Sequence, residues 1–479
     1  MQYAPTFFIP IYMLKQFIPN EYCLKCDICC RFGQKNSVYA PKFLPGECIS
    51  HTGRAQGPAP TLNKHGNTYI CEFFSPTANT CTIYTQHPLD CQLYPFMVTY
   101  DKKYENIVLC LDTKCPYVQK NGAPETLDVE TQNFASLPHD FIMPYQPDTI
   151  KIAVIKNLNG FKALALEHKS TFDEYLNVGA NSRSPLQPST RTFTNIYIWS
   201  DLFNILWKII DGNLCVFYEY KNEFNMLLPP IVIPAPAVEL AKPDLNRGGW
   251  YIRQPRKDGS VIGRIENIAE DEIESFKKLG LKIHKNTNEY IYLTKDIAEL
   301  KGNKFASHRA AKNNFTKNNK FTYRPFEITD IDECLALYSR WAKIKMGTGL
   351  KPVPIFRDSV YQQLMHESFS AQKKAMLGYE ELGLIGRVVE INGKIQAYTF
   401  GFEMGRPQGA APTYCIIFET TDITIKGISQ FIFSSFAQEL YGLGVKYINA
   451  MDDSGLQNLR KTKLSWHPYK VLTNYIGMI

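Results

Sequence analysis

Ten of the thirteen cysteines fall in the first 115 of 479 residues: Cys23, Cys26, Cys29, Cys30, Cys48, Cys71, Cys81, Cys91, Cys110 and Cys115. A stretch so rich in cysteine builds either a disulfide scaffold or a metal site, and few other folds are open to it. Cys23-x2-Cys26-x2-Cys29-Cys30 puts four sulfurs within eight residues, crowded for disulfides among themselves but well placed to converge on an ion. Cys71, Cys81 and Cys91, spaced by nine residues each, and Cys110-x4-Cys115 supply further thiols. Thiolates serve zinc and iron–sulfur centres alike, so the spacing gives ligand type without naming the metal. Cys215, Cys334 and Cys415 stand singly and read as buried side chains.

Disulfides are the weaker alternative, because the N-terminus has no basic stretch ahead of its apolar run and no small-residue cleavage site. The cytosol is the expected compartment. A membrane span needs about 20 apolar residues. The apolar start is broken by Pro5 and Pro10 and stops at Lys15, and Met226–Val238 carries four prolines before Glu239. With 44% hydrophobic and 21% charged residues the chain is globular, with two to four domains at roughly 100–200 residues each.

The net charge of +7 is concentrated. Between Leu300 and Arg324 stand Lys301, Lys304, Arg309, Lys312, Lys317, Lys320 and Arg324, with no Asp or Glu. Such a segment fits an anionic partner, whether a phosphate-bearing cofactor, RNA or a lipid headgroup; its alternative is a solvated helix face. After Cys115 the cysteines stop, and Pro138, Pro144 and Pro147 punctuate a boundary over residues 120–160. Beyond it, patterning predicts helices at 158–176, 269–279, 330–344 and 428–440, and strands at 214–220, 223–233, 290–293, 414–418 and 445–448. Asn392-Gly393 predicts a hairpin within 388–402. The mixture implies an α+β or α/β layered fold.

The run CLKCDICC followed by CEFFSPTANTCTIYTQHPLDCQLYPF resembles the CxxCxxCC zinc- or iron-chelating domain, carried here by Cys81, Ile83, Tyr84, Pro88, Cys91, Tyr94 and Pro95. His87 and Gln92 stand where that family usually has arginines. The resemblance implies that Cys23, Cys26, Cys29, Cys30, Cys71, Cys81, Cys91, Cys110 and Cys115 hold zinc or iron, an iron–sulfur cluster included.

A second resemblance covers residues 160–479. The segments EYIYLTKDIAELKGNKFASHRAAKNNF and YINAMDDSGLQNLRKTKLSWHP are similar to the C-terminal synthase domain of phosphatidylglycerol lysyltransferases. The tail signature is met by Asn449, Asp453, Gly455, Leu459, Arg460, Lys463 and Ser465, and the basic signature by Leu300, Lys301, Gly302, Lys304 and Arg309; Lys426-Gly427 also fits. The resemblance implies two tandem GNAT-type acyltransferase units. The expected organisation is then a cysteine-rich domain at 1–120, a linker at 121–160, and GNAT-like units at 161–299 and 300–479. Those lysyltransferases carry a membrane portion ahead of this domain, where a cysteine-rich module stands here. No Arg/Gln-x-x-Gly-x-Gly/Ala pyrophosphate loop joins the strand at 414–418 to the helix at 428–440, which favours an aminoacyl-tRNA donor over acyl-CoA.

Aminoacyl transfer needs a base, cations for donor phosphates and a partner for the oxyanion. Asp453 is the expected base or orienting carboxylate, with Arg460 and Lys304 beside it in catalysis. Lys301, Arg309, Lys312, Lys426, Asn449 and Lys463 are the expected substrate contacts. On a helix, Lys301, Lys304, His308 and Lys312 form one stripe that would track a tRNA acceptor stem or an anionic lipid headgroup. The acceptor is a headgroup or an amine. The competing reading makes the cysteines the centre of a redox or sensing protein whose GNAT-like part only binds a partner.

Overall fold

The computed structural model describes residues 18–23, 25–26, 28–35, 37, 39–42, 62–84, 88–123, 141–178, 186, 188–220, 223–232, 263–345, 359–404 and 412–478. Cys48, His87 and Pro138 lie outside them. The chain divides into two compact units, Met1–Ala163 and Leu164–Ile479.

The first unit is built from short antiparallel pieces. Leu62–His65 and Thr68–Cys71 form a hairpin, and Arg31–Phe32 pairs on the far side of the second strand. A separate sheet joins Phe96–Tyr100, Asn106–Asp112 and Thr149–Asn157 in that order. Leu109 and Leu111 are fully buried in its central strand. The expected linker at 121–160 therefore contributes a strand. Its Ile150–Ile155 run is rich in β-branched residues, which suits an edge, and Lys151 and Lys156 blunt that edge.

The second unit carries one long sheet. Its longer strands are β1 (Asn204–Ile210), β2 (Asn213–Tyr220), β3 (Glu223–Met226), β4 (Arg264–Ile268), β5 (Lys282–Leu293), β6 (Thr322–Pro325), β7 (Ile385–Ile391), β8 (Lys394–Glu403), β9 (Thr413–Thr421), β10 (Tyr447–Asp452) and β11 (Lys470–Met478). They lie in the order β6-β7-β8-β9-β10-β5-β11-β4-β3-β2-β1. Two stretches repeat one plan: β1-β2-β3 and β7-β8-β9 are antiparallel meanders, and the last strand of each runs parallel to a later one, β4 and β10 respectively. The sequence expectation of a mixed layered fold with two similar units in tandem matches this plan. Strand 290–293 is longer than its apolar signal: β5 starts at Lys282, and its polar first half is held by β11. Asn392 and Gly393 both take positive φ, 52° and 70°, as a two-residue hairpin turn requires.

Helices cover both faces. α1 (Ala306–Asn318), α2 (Ile331–Lys345), α3 (Ser359–Leu377), α4 (Ile428–Gly442) and α5 (Gln457–Ser465) follow the sheet segments. One core joins Cys334 and Leu337 of α2 and Ala371, Ala375 and Met376 of α3 to Val388, Tyr398 and Phe400 of the sheet. Another packs Phe436, Ala437 and Leu440 of α4 onto Tyr290, Tyr292 and Ile448. Each fully buried large side chain of this kind contributes about 1.5–3 kcal/mol. Among the described residues, no helix is long and apolar enough to cross a membrane.

Candidate active site

The parallel partners β9 and β10 pair only at Thr413↔Tyr447, Tyr414↔Ile448 and Cys415↔Asn449. Both strands continue, β9 to Thr421 and β10 to Asp452, so their C-terminal halves part and leave a cleft between them. A register shift at Ile417 breaks the alternation of β9, so Cys415, Ile417 and Phe418 share one core while Glu419 lies towards Tyr292 and Lys463. Glu419 is reached by solvent yet enclosed by protein in depth, as a side chain within a cleft is. That enclosure pushes its carboxyl up to about 8, and the Lys463 ammonium pulls it back only in part.

The chain leaving β10 turns sharply. Met451, Ser454 and Gly455 all have positive φ, at 59°, 48° and 70°. The turn sets Asp453, only 4% exposed, to accept the Tyr290 hydroxyl at 2.6 Å and the Gly455 N–H at 3.1 Å. Burial and then the Asp453 hydrogen bond lift the Tyr290 phenol to about 12, while Arg460 works against the rise. Arg460 itself is exposed on α5.

Behind this turn lies a polar network. Asn449 accepts the Met451 N–H at 2.8 Å and donates to Glu289 at 2.6 Å. Glu289, fully buried in β5, also accepts from the Ser189 N–H at 2.7 Å and Asn474 at 3.2 Å. Burial raises its carboxyl above the ordinary value, and the three donors offset part of that rise. Lys463 reaches in from α5 and donates to the carbonyls of Ala450 and Met451, with its ammonium 5.8 Å from the centre of the Tyr290 ring. Burial lowers its ammonium, against the pull of Asp452, Glu289, Cys415 and Asp453.

The structure thus brings Asp453, Asn449, Lys463 and Arg460 to one place. The other expected residues take other partners. Lys301 pairs with Glu299 at 3.1 Å and Lys304 with Asp296 at 2.9 Å. Arg309 donates to the carbonyls of Leu300 and Gly302, closing the end of the short helix Thr294–Glu299. Lys312 lies half-buried on Ser434 at 2.9 Å, and burial lowers its ammonium. His308 is buried, stacked on Trp466 with centroids 3.9 Å apart. Lys426 is exposed just ahead of α4. Tyr290, Glu289 and Glu419 were not legible as site residues: they sit inside strands, and no spacing marks them.

In the first unit, cysteines distant in sequence face one another. Burial pushes the Cys23 thiol up to about 11, with Cys29, Cys115 and Cys26 adding to it. Cys71 also rises to about 11 by burial, with Cys81 and Cys29 adding, and Cys91 rises with the same neighbours. Cys30 is raised by its hydrogen bond with Cys29 and by burial. Cys29 is common to all of them. Cys110 stands apart, buried against the Thr99 hydroxyl at 3.7 Å. The donor chemistry suits a soft metal, but among the described residues no three His, Cys, Asp or Glu side chains converge as a ligand set.

Comparison with known proteins follows the same division. A crystal structure of a conserved protein of unknown function from Bacteroides thetaiotaomicron is similar at TM-score 0.54 and 24% identity, over 67% of this chain and 99% of that one. L-PGS from Bacillus licheniformis matches at TM-score 0.39 and 15% identity, over 58% and 85%. A tandem GNAT protein from the clavulanic acid biosynthesis pathway matches at 0.38 and 10%, over 66% and 97%. No curated protein sequence matches the chain. The family model described as "Phosphatidylglycerol lysyltransferase, C-terminal" matches residues 182–477 and does not reach the cysteine-rich part. Because that match takes in more than half of the chain, the protein belongs to the phosphatidylglycerol lysyltransferase C-terminal family and is by that class an acyl or aminoacyl transferase.

Proposed function

We propose that the protein works in the cytosol and moves an aminoacyl group from an aminoacyl-tRNA ester to a hydroxyl or amine acceptor in the cleft between β9 and β10. The observation that carries this reading is an enclosed, water-reached carboxylate, Glu419, facing Lys463 where two parallel strands part. Glu419 takes the acceptor proton as the acceptor attacks the ester carbonyl. The ester C–O bond breaks, and the tRNA hydroxyl leaves with a proton. Arg460 and Lys463 offset the negative charge that develops on the carbonyl oxygen. Asp453 is an orienting carboxylate, since both its oxygens already accept hydrogen bonds from Tyr290 and Gly455. Lys301, Lys304, Arg309, Lys312 and Lys426 lend the donor's phosphates a positive approach. Acyl-CoA is the less suited donor, for want of an Arg/Gln-x-x-Gly-x-Gly/Ala loop between β9 and α4.

A base raised to about 8 is active when deprotonated, so the rate climbs as pH rises through about 8. Glu419→Gln is expected to lower turnover by about 10²-fold or more and to flatten that climb. The assay uses charged total tRNA with lipid and amine acceptors, and an unchanged rate and profile in the variant would sink the assignment.

A second reading concerns the first unit alone. We infer that Cys23, Cys26, Cys29, Cys30, Cys71, Cys81, Cys91 and Cys115 bind zinc or iron, because four thiols stand within eight residues at Cys23–Cys30 and the fold sets Cys71, Cys81, Cys91 and Cys115 near Cys29. Cys110 is outside that group. A metal would supply structural closure or redox chemistry there. Metal analysis on protein purified without oxygen is expected to find zinc, or iron with sulfide, lost on Cys29→Ser. Metal-free wild-type protein would end this reading and leave the transferase reading intact.

A further inference from the structure

α5 carries Arg460 and Lys463 to the cleft, yet little in its own sequence keeps it there. None of its nine residues is buried, and its one apolar side chain in the last turn, Leu464, is exposed. A polar helix of this length is marginal without tertiary support. Its last turn also ends in carbonyls that need donors.

Each of those carbonyls finds a donor, and two donors come from far along the chain. Thr462 accepts the Ser465 hydroxyl at 2.7 Å, and Leu464 accepts the His467 N–H at 3.0 Å. The Lys463 carbonyl accepts the Tyr292 hydroxyl of β5 at 2.8 Å, and the Ser465 carbonyl is bonded to the His308 ring of α1 at 2.9 Å. A carbonyl only accepts, so Nε2 of His308 carries the proton in that bond. His308 is buried and lies flat on Trp466, the residue after α5, with the ring planes 14° apart. Tyr292 is buried edge-on to Phe433 of α4, with centroids 5.9 Å apart. Both donors stand on packed elements, while α5 brings no core of its own.

Lys463 is the side chain that this turn delivers. Its ammonium donates to the carbonyls of Ala450 and Met451. It faces Glu419 and Cys415 of β9, Glu289 of β5, and Asp452 and Asp453 at the end of β10.

We propose that Tyr292 and His308 are positioning residues for Lys463: they fasten the last turn of α5 and so keep the Lys463 ammonium beside Glu419. That role rests on the transfer reading above, in which Glu419 is the base. His308 then belongs to the frame of the site and not to a basic stripe along α1.

Two measurements on the full chain test this, and one needs no substrate. The Glu419 carboxyl is titrated by NMR on protein labelled at the glutamate side-chain carboxyls, with its signal assigned by its loss in Glu419→Gln. The wild-type midpoint is expected at about 8. Lys463 pulls that carboxyl down, so Tyr292→Phe with His308→Ala, which frees the turn, is expected to move the midpoint upward. His308→Gln keeps an N–H donor near the place of Nε2 and is expected to keep the wild-type midpoint. In a Lys463→Met background the double variant is expected to add no further shift, because its effect runs through Lys463. With charged tRNA as donor, the double variant is expected to lose about tenfold to a hundredfold in kcat, with KM little changed.

A wild-type midpoint in the double variant overturns the positioning role, and so does a shift that persists undiminished without Lys463. Wild-type protein that titrates as expected but transfers nothing ends the transfer reading and leaves the hold of Tyr292 and His308 on Lys463 standing.

Discussion

The Tyr290–Asp453 contact shows how much rests on a single donor. Asp453 is nearly sealed from water, so its Oδ2 has no ready substitute for the Tyr290 hydroxyl at 2.6 Å. Tyr290→Phe leaves that oxygen short of a partner and is expected to cost about 1–3 kcal/mol in denaturant unfolding. Asp453→Asn keeps the shape, and the double variant should lose clearly less than the two single losses together, because both act on one contact. Additive losses would show that the pair is not coupled. Asp453, Arg460 and Lys463 were legible in the tail signature; Tyr290 was not, since its partner is 163 residues away.

Helix packing makes a similar demand at Gly427, the residue before α4. It has φ +86°, and a Cβ there would stand 2.1 Å from the Ala311 carbonyl of α1. Gly427→Ala therefore meets both backbone strain and a clash with main chain, and is expected to cost at least about 2 kcal/mol. Gly393, at φ +70° with open space around it, supplies the control: its alanine variant meets strain alone, about 1–2 kcal/mol. Urea midpoints of the two variants decide the point, and equal shifts would show that α1 yields at Ala311. The helices at 330–344 and 428–440 and the hairpin at Asn392-Gly393 were readable because periodicity and turn chemistry are local. The start of β5 at Lys282 was not readable, because polar strand residues are held there by ladder bonds to β11 rather than by their own pattern.

For the molecule as a whole, composition and motif spacing determined a good deal without any coordinates. They gave a globular chain, a cysteine-rich first part, a basic segment and a mixed layered fold, while the resemblance to the synthase domain implied the tail residues Asn449, Asp453, Arg460 and Lys463. Each of these is written in neighbouring residues. Tertiary structure decided the rest. It placed Glu419 in a cleft by letting β9 and β10 part after three paired residues, and it gave Lys301, Lys304, His308 and Lys312 intramolecular partners where the sequence offered a free stripe. It joined Thr149–Asn157 to the first unit's sheet. Those outcomes depend on which side chains distant in sequence meet, on how deeply a carboxylate is enclosed and on where strand pairing ends; such contacts form only when the chain closes on itself, and no local spacing encodes them.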